Sequence, residues 1–171
     1  MLETPTQNRT FHALDWHANL VERASMALAH FISTTAEDRR TWSPPAENDC
    51  KVRNCFQLAS ECITINRRTA ALLRGEAPPD ELAVSDLDTC VRELEESGRD
   101  FAAAIRAQDD SLFSKTFELP FGPITGTVLL EITLGNLSYH QGQVNLIQIL
   151  GGDPEFHVPS NFLTYVVDTK A

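Results

Sequence analysis

Apolar residues recur three or four positions apart in four separate stretches of the chain, the spacing that gathers them on one face of an α-helix. The first stretch covers residues 11–33 and carries Phe11, Leu14, Ala18, Val21, Leu28 and Ile32. The second, residues 49–74, carries Val52, Cys55, Ala59, Cys62, Ile63, Leu72 and Leu73, with Gly75 placed to stop it. In the third, residues 85–108, the apolar side is Leu87, Val91, Leu94, Phe101 and Ile105, and Ser85 followed by Asp88 predicts the N-terminal cap. The fourth covers 125–150 and ends at Gly151-Gly152-Asp153-Pro154. Four helices of this length without a strong series of strands predict an all-α four-helix bundle.

Between these stretches the pattern breaks for identifiable reasons. "TTAEDRRTWSPPAEND" combines a polar run with paired prolines that lack amide donors, so it predicts a connection, with Trp42 folded back on the bundle. "SKTFELPFGPITG" holds a short alternating segment and then Pro-Phe-Gly-Pro, a stiff turn that aims the last helix. Beyond Glu155 the chain contains "NFLTYVV", expected to pack as an extended segment on the bundle or on a neighbouring subunit. With 171 residues and no internal repeat, residues 1–171 are expected to form one domain.

The fourth helix changes the picture. Glu131, Ser138, Gln141, Asn145 and Gln148 collect into one polar stripe, expected to be the solvent face. Thr133, Asn136, His140, Gln143 and Ile147 fall on the far side, flanked by Leu129, Ile132 and Tyr139, and so are expected to point inward. Buried polar side chains cost free energy unless they find partners, so Asn136, His140 and Gln143 must be hydrogen-bonded, hydrated or coordinated. Gly135 and Gly142 offer no bulk beside that row and predict the close approach of another helix.

Charge and the remaining motifs mostly exclude. The chain has 14 Lys and Arg against 24 Asp and Glu, a formal charge of -10, which argues against partners with phosphate backbones or anionic membrane surfaces. No run approaches the roughly 20 apolar residues of a membrane span. The opening "MLETPTQNRTFHALDW" lacks a signal-peptide pattern, and the expected location is cytoplasmic. Cys50, Cys55, Cys62 and Cys90 form no CxxC pair and are expected to be small buried apolar residues, with a zinc cluster as the other reading. His12, His17, His30 and His157 lack the spacing of a metal-gripping pair, and "RELEESGRD" predicts a solvated helical face. No phosphate loop, nucleophile elbow or H-E-x-x-H motif is present.

"LPFGPITG" ahead of the last helix and "NLSYHQGQVNLIQILGGDP" within and after it resemble the DinB-like superfamily, and "LDWHANLVERA" and "ECITINRRTAALLRGE" extend the likeness more loosely. The resemblance implies a bundle of up-down-down-up connectivity, often a homodimer, holding a divalent metal such as zinc, nickel or manganese near its middle. Family members with assigned activities resemble thiol-dependent transferases or isomerases. In such proteins three histidines usually hold the metal, one from the second helix and two spaced H-x-x-x-H in the fourth, the last before a Gly-Gln pair. His140 matches that last position; Asn136 stands where the other fourth-helix histidine would be. Glu61 stands for the second-helix histidine, with Gln57 one turn earlier as the alternative. The implied site is therefore His140, Glu61 and Asn136 around a metal, with Gln143 as a supporting cofactor-binding residue. The competing arrangement is a hydrogen-bonded cluster in which Glu61 accepts from His140 and Asn136 spans a water. Two functions follow: a small-ligand-binding or stress-related protein with a degenerate centre, or a metal-dependent transferase that uses a low-molecular-weight thiol.

Overall fold

The computed structural model describes residues 12–45 and 52–159. Four long helices appear where the apolar spacing predicts them: α1 (Ala13–Thr34), α3 (Cys55–Arg74), α4 (Leu87–Arg106) and α5 (Gly126–Leu150), with a single turn α2 (Glu37–Arg40) after α1. A 3-10 turn (Asp110–Ser114) and a hairpin of β1 (Thr116–Leu119) and β2 (Gly122–Thr125) separate α4 from α5. The connectivity follows from side-chain contacts. Arg67 pairs with Glu93 and Arg74 with Asp100, both 26 positions on, so α3 and α4 run parallel. Gln141 and Gln148 donate to the carbonyls of Ala24 and Phe31, both 117 positions back, so α5 runs parallel to α1. Arg106 reaches back to Asn19 and Glu22, which makes α4 antiparallel to α1. The order is up-down-down-up.

The bundle closes on Leu28, Ile32, Leu58, Ile63, Leu94, Phe101 and Ile105, each fully buried. Burying an aliphatic or aromatic side chain of this size contributes roughly 1.5–3 kcal/mol. Cys55, Cys62 and Cys90 are free and fully buried, as expected of small apolar residues. Burial pushes their thiols up to about 11, 12 and 12 respectively, so all three stay protonated. Cys50 and "NFLTYVV" lie outside the described residues. Trp42 does fold back onto the core, with the Arg39 guanidinium 5.2 Å above its ring.

The helix ends correct several expectations. α3 begins at Cys55 rather than at 49, because Asn54 caps it: its side chain accepts from Gln57 N while the Gln57 side chain accepts from Asn54 N. At α4 the cap is Asp86, not Ser85, and accepts from Thr89 N. Gly75 ends α3 at φ +74°, a left-handed conformation that suits glycine. The alternating segment pairs with a second strand that the pattern did not show, through a loop at Pro120-Phe121. Gly126, the first residue of α5, lies against the Leu112 carbonyl so closely that a Cβ would collide with it, and its amide donates to Lys115 O. This contact and the hairpin set the direction of α5.

The largest correction concerns the faces of α5. Gln148 is 2% exposed and Gln141 half-buried, so the glutamines expected in solvent instead face α1. Glu131 and Ser138 of that stripe are exposed, and Asn145 is half-buried. Ile132 and Tyr139 point outward, not toward the core. Gly135 and Gly142 are exposed, and a Cβ on either would meet nothing within 4 Å, so among the described residues no helix packs closely against them. The close approach is at Gly98 instead, where a Cβ would lie 2.5 Å from Ser25 Cβ. That crossing of α1 and α4 also holds Asn66, which donates to Ser25 Oγ and Ser97 Oγ. Gly98→Ala is therefore expected to lower the unfolding free energy by about 1–2 kcal/mol in urea titration, since overpacking outweighs the gain in helix propensity; an unchanged or raised midpoint would mean that the crossing is loose.

Candidate functional site

Asn136, His140 and Gln143 stand four and three positions apart, so they share one side of α5, and that side faces α3. The capping box at Asn54 fixes the first turn of α3 and sets Glu61 two turns further along, opposite His140. His140 is 2% exposed, while Glu61, Asn136 and Gln143 are half-buried. The inward orientation expected for His140 is thus observed.

The hydrogen bonds form one connected set. Gln143 Oε1 lies 2.5 Å from His140 Nδ1, which fixes the proton there, because the amide oxygen is an acceptor only. His140 Nε2 then carries a lone pair and accepts from Asn136 Nδ2 at 3.1 Å. The second Asn136 amide hydrogen points to Glu61 Oε1 at 3.5 Å, and Asn136 Oδ1 accepts from the Cys62 thiol at 3.4 Å. Glu61 is also ion-paired with Arg53. Glu61 Oε1 and His140 Nε2 are 3.5 Å apart, and the Asn136 amide bridges these two acceptors directly, where a water-spanned contact was the expectation. Burial holds the His140 imidazole below the usual histidine range; the Gln143 bond opposes this, and the Arg53 charge adds to it. The ring is neutral at neutral pH.

A divalent metal does not fit these groups well. Zinc or nickel at a protein site wants several imidazole or thiolate donors. Here one imidazole is available, and the one carboxylate is neutralised by a guanidinium. The Asn136 amide turns its hydrogens, not its oxygen, toward the imidazole lone pair, and the Cys62 thiol stays protonated. The Arg53 cation already compensates the Glu61 carboxylate and disfavours further positive charge at His140. Among the described residues no cluster of three or more His, Cys, Asp or Glu side chains could hold a metal ion.

The alternative ligand Gln57 is exposed and engaged in the α3 cap. His12 and His30 stand at the start and near the end of α1, and His157 pairs with Asp153 at 2.7 Å. His17, half-buried between Trp16 and Phe113, has a pKa lowered by burial and sits within electrostatic reach of Glu131, apart from the His140 set. Arg53 was not singled out by the sequence. In a helix running from 49 it would stand about 12 Å along the axis from Glu61; only because the chain is extended up to Asn54 does it turn back onto that carboxylate. Outside this pair an open groove of about 480 Å³ lies between α3 and residues 81–84, bordered by Arg53, Ser60, Glu61, Arg68 and Glu81.

No protein-family model matches the chain, and no curated protein matches it in sequence. Its structure is similar to the crystal structure of a DinB-like protein, YjoA, from Bacillus subtilis, with a TM-score of 0.63 and 16% identity over 86% of this chain and 96% of that one. The up-down-down-up bundle described above is a DinB-like fold.

Proposed function

We propose that this protein is a DinB-like bundle that works without a bound metal, and that it binds a small organic anion in the groove beside Glu61. The observation that carries this reading is the continuous set Arg53, Glu61, Asn136, His140, Gln143, in which both imidazole nitrogens are hydrogen-bonded and the Glu61 carboxylate is already paired with a guanidinium. Arg53 and Arg68 border the groove with side chains about half exposed, at 49% and 45%. The Arg68 pairing with Glu81 is long, 3.5 Å, and Glu81 is itself well exposed, so a ligand carboxylate can displace it at little cost. Within the site, Gln143 holds the His140 proton on Nδ1, and the Asn136 amide saturates Nε2, so the imidazole serves to order the centre rather than to attack or transfer a proton.

No described helix is long and apolar enough to cross a membrane. Protein purified without a metal-affinity tag is expected to carry far less than one zinc, nickel or manganese per chain, before and after incubation with each ion. The variant Glu61→His with Asn136→His, which restores three imidazoles, is expected to take up zinc and gain thermal stability in proportion to its logarithm. Stoichiometric metal in the unaltered protein would return the centre to the thiol-dependent transferase reading.

A panel of mono- and dicarboxylic acids is expected to raise the melting temperature of the unaltered protein. That shift should disappear in Arg68→Ala, with the His140 set intact. If no acid shifts either protein, the groove is not an anion site.

Because its folded pKa lies below the unfolded value of 6.5, His140 contributes stability that is fully present above pH 6.5 and is lost as the pH falls from there toward the depressed folded value. Two-dimensional NMR is expected to show the His140 ring titrating below pH 6.5, with the proton on Nδ1 at neutral pH. In His140→Gln the fall in stability below pH 6.5 should be shallower, with the remainder due in part to His17, whose pKa is also depressed. A midpoint at or above 6.5 would show that the ring is not held neutral by its surroundings.

A further inference from the structure

The segment before α4 lies lengthwise along α3. Val84 N donates to Ser60 Oγ at 3.0 Å, and Glu81, three residues earlier, meets Arg68, eight residues further along α3. Three residues span at most about 10 Å and eight helical residues about 12 Å, so residues 81–84 are stretched out and run antiparallel to the helix. The groove described above is the space between them. Its floor is one face of α3, on which Ser60, Thr64 and Arg68 recur every four residues, with Glu61 and Ile65 beside them.

The charged residues that line the groove form two opposed pairs, Arg53 with Glu61 and Arg68 with Glu81, so its lining is neutral inside a chain of net charge -10. The pairs differ in how firmly they are held. Glu61 is tied through Asn136 to the His140 set, whereas Arg68 and Glu81 stand 3.5 Å apart with both side chains open to water. A plain carboxylate that takes Arg68 leaves the Glu81 carboxylate unpaired beside a second negative charge, and that repulsion offsets part of the attraction. An ammonium on the carbon next to the ligand carboxylate removes the conflict. Resting on the anion-groove reading above, we infer that the groove takes the zwitterionic head of an α-amino acid with an apolar side chain, its carboxylate on Arg68 and its ammonium on Glu81. The head opens the 3.5 Å pair and completes a set of four charges that alternate in sign. The ligand side chain then lies against Ile65 and Leu82, which are apolar and half-buried in the groove wall. An acid or an amine alone would satisfy one of the two exposed partners and strand the other.

NMR titration of the full chain with matched compounds tests this assignment. Leucine and phenylalanine are expected to shift the backbone amides of Thr64, Leu82 and Ala83. They should bind about tenfold more tightly than 4-methylpentanoate and 3-phenylpropanoate, which lack the ammonium, and than 3-methylbutylamine and 2-phenylethylamine, which lack the carboxylate. Glu81→Gln, at an exposed position, should weaken both amino acids yet strengthen both acids, because it removes the partner of the ammonium and the internal competitor for Arg68 together. Arg68→Met should bring the amino acids down to the level of the amines. A groove for anions alone would bind acids and amino acids equally, and Glu81→Gln would strengthen both; that outcome overturns the zwitterion assignment and leaves the anion reading standing. Amino acids that bind no more tightly than the amines, or that shift amides outside the groove, overturn it as well. Silence from all six compounds overturns it and the anion reading together.

Discussion

A buried imidazole has two nitrogens and no water to satisfy them, and this requirement organises the centre of the bundle. Gln143 Oε1, one turn along α5, accepts the hydrogen bond from Nδ1–H, which leaves Nε2 as an acceptor. Asn136, one turn in the other direction, supplies the donor. Its remaining amide hydrogen reaches Glu61 on α3, and its oxygen takes the Cys62 thiol. The α3 to α5 seam is therefore held by a polar chain with its ends at Arg53 and Gln143, in which leaving a nitrogen of the buried His140 unpaired would cost on the order of 1–3 kcal/mol. The same satisfaction makes the centre a poor host for a cation, because a metal would need the lone pairs that the Asn136 amide and the Arg53 guanidinium already hold.

Apolar spacing located all four helices, because a bundle buries one face of each and the burial leaves a 3.6-residue signature. The same reasoning put Asn136, His140 and Gln143 on one inward row, while Glu61 came from the family resemblance, with Gln57 as the alternative that the structure leaves in the α3 cap. What it missed has physical causes. A polar stripe on a helix shows that those residues need partners, not that the partners are water. Gln141 and Gln148 found theirs in the Ala24 and Phe31 carbonyls of α1, groups that no pattern of side chains reports. Arg53 escaped notice for a related reason. Its role depends on where a helix starts, and the start is fixed by the reciprocal Asn54 and Gln57 bonds rather than by apolar spacing.

A helical glycine marks a tight contact only where a neighbouring element crosses it. Gly135 and Gly142 looked like sites of intrachain contact, yet the tight crossing falls at Gly98, inside an acidic stretch whose sequence resembles a solvated face. Both descriptions hold at once: Arg99 and Asp100 are exposed, while Ser97 and Gly98 are buried one step away against Ser25 and Asn66. A helix changes face within two residues, so a charge run and a buried glycine are not alternatives.

α5 carries three demands on three sides, and the sides are not independent. Toward α1 it presents amides that bond backbone carbonyls; toward α3 it presents the His140 set; outward it presents Val128, Ile132, Tyr139 and Leu146. Rotating the helix by one position would move Gln141 off the Ala24 carbonyl and His140 off Glu61 together, so the two polar contacts lock its rotation more firmly than apolar packing alone. That lock also fixes which residues face outward. The polar bonds on the inner sides thus determine which apolar residues of α5 turn outward, and the centre of the bundle and that outward face are consequences of the same rotational setting of one helix.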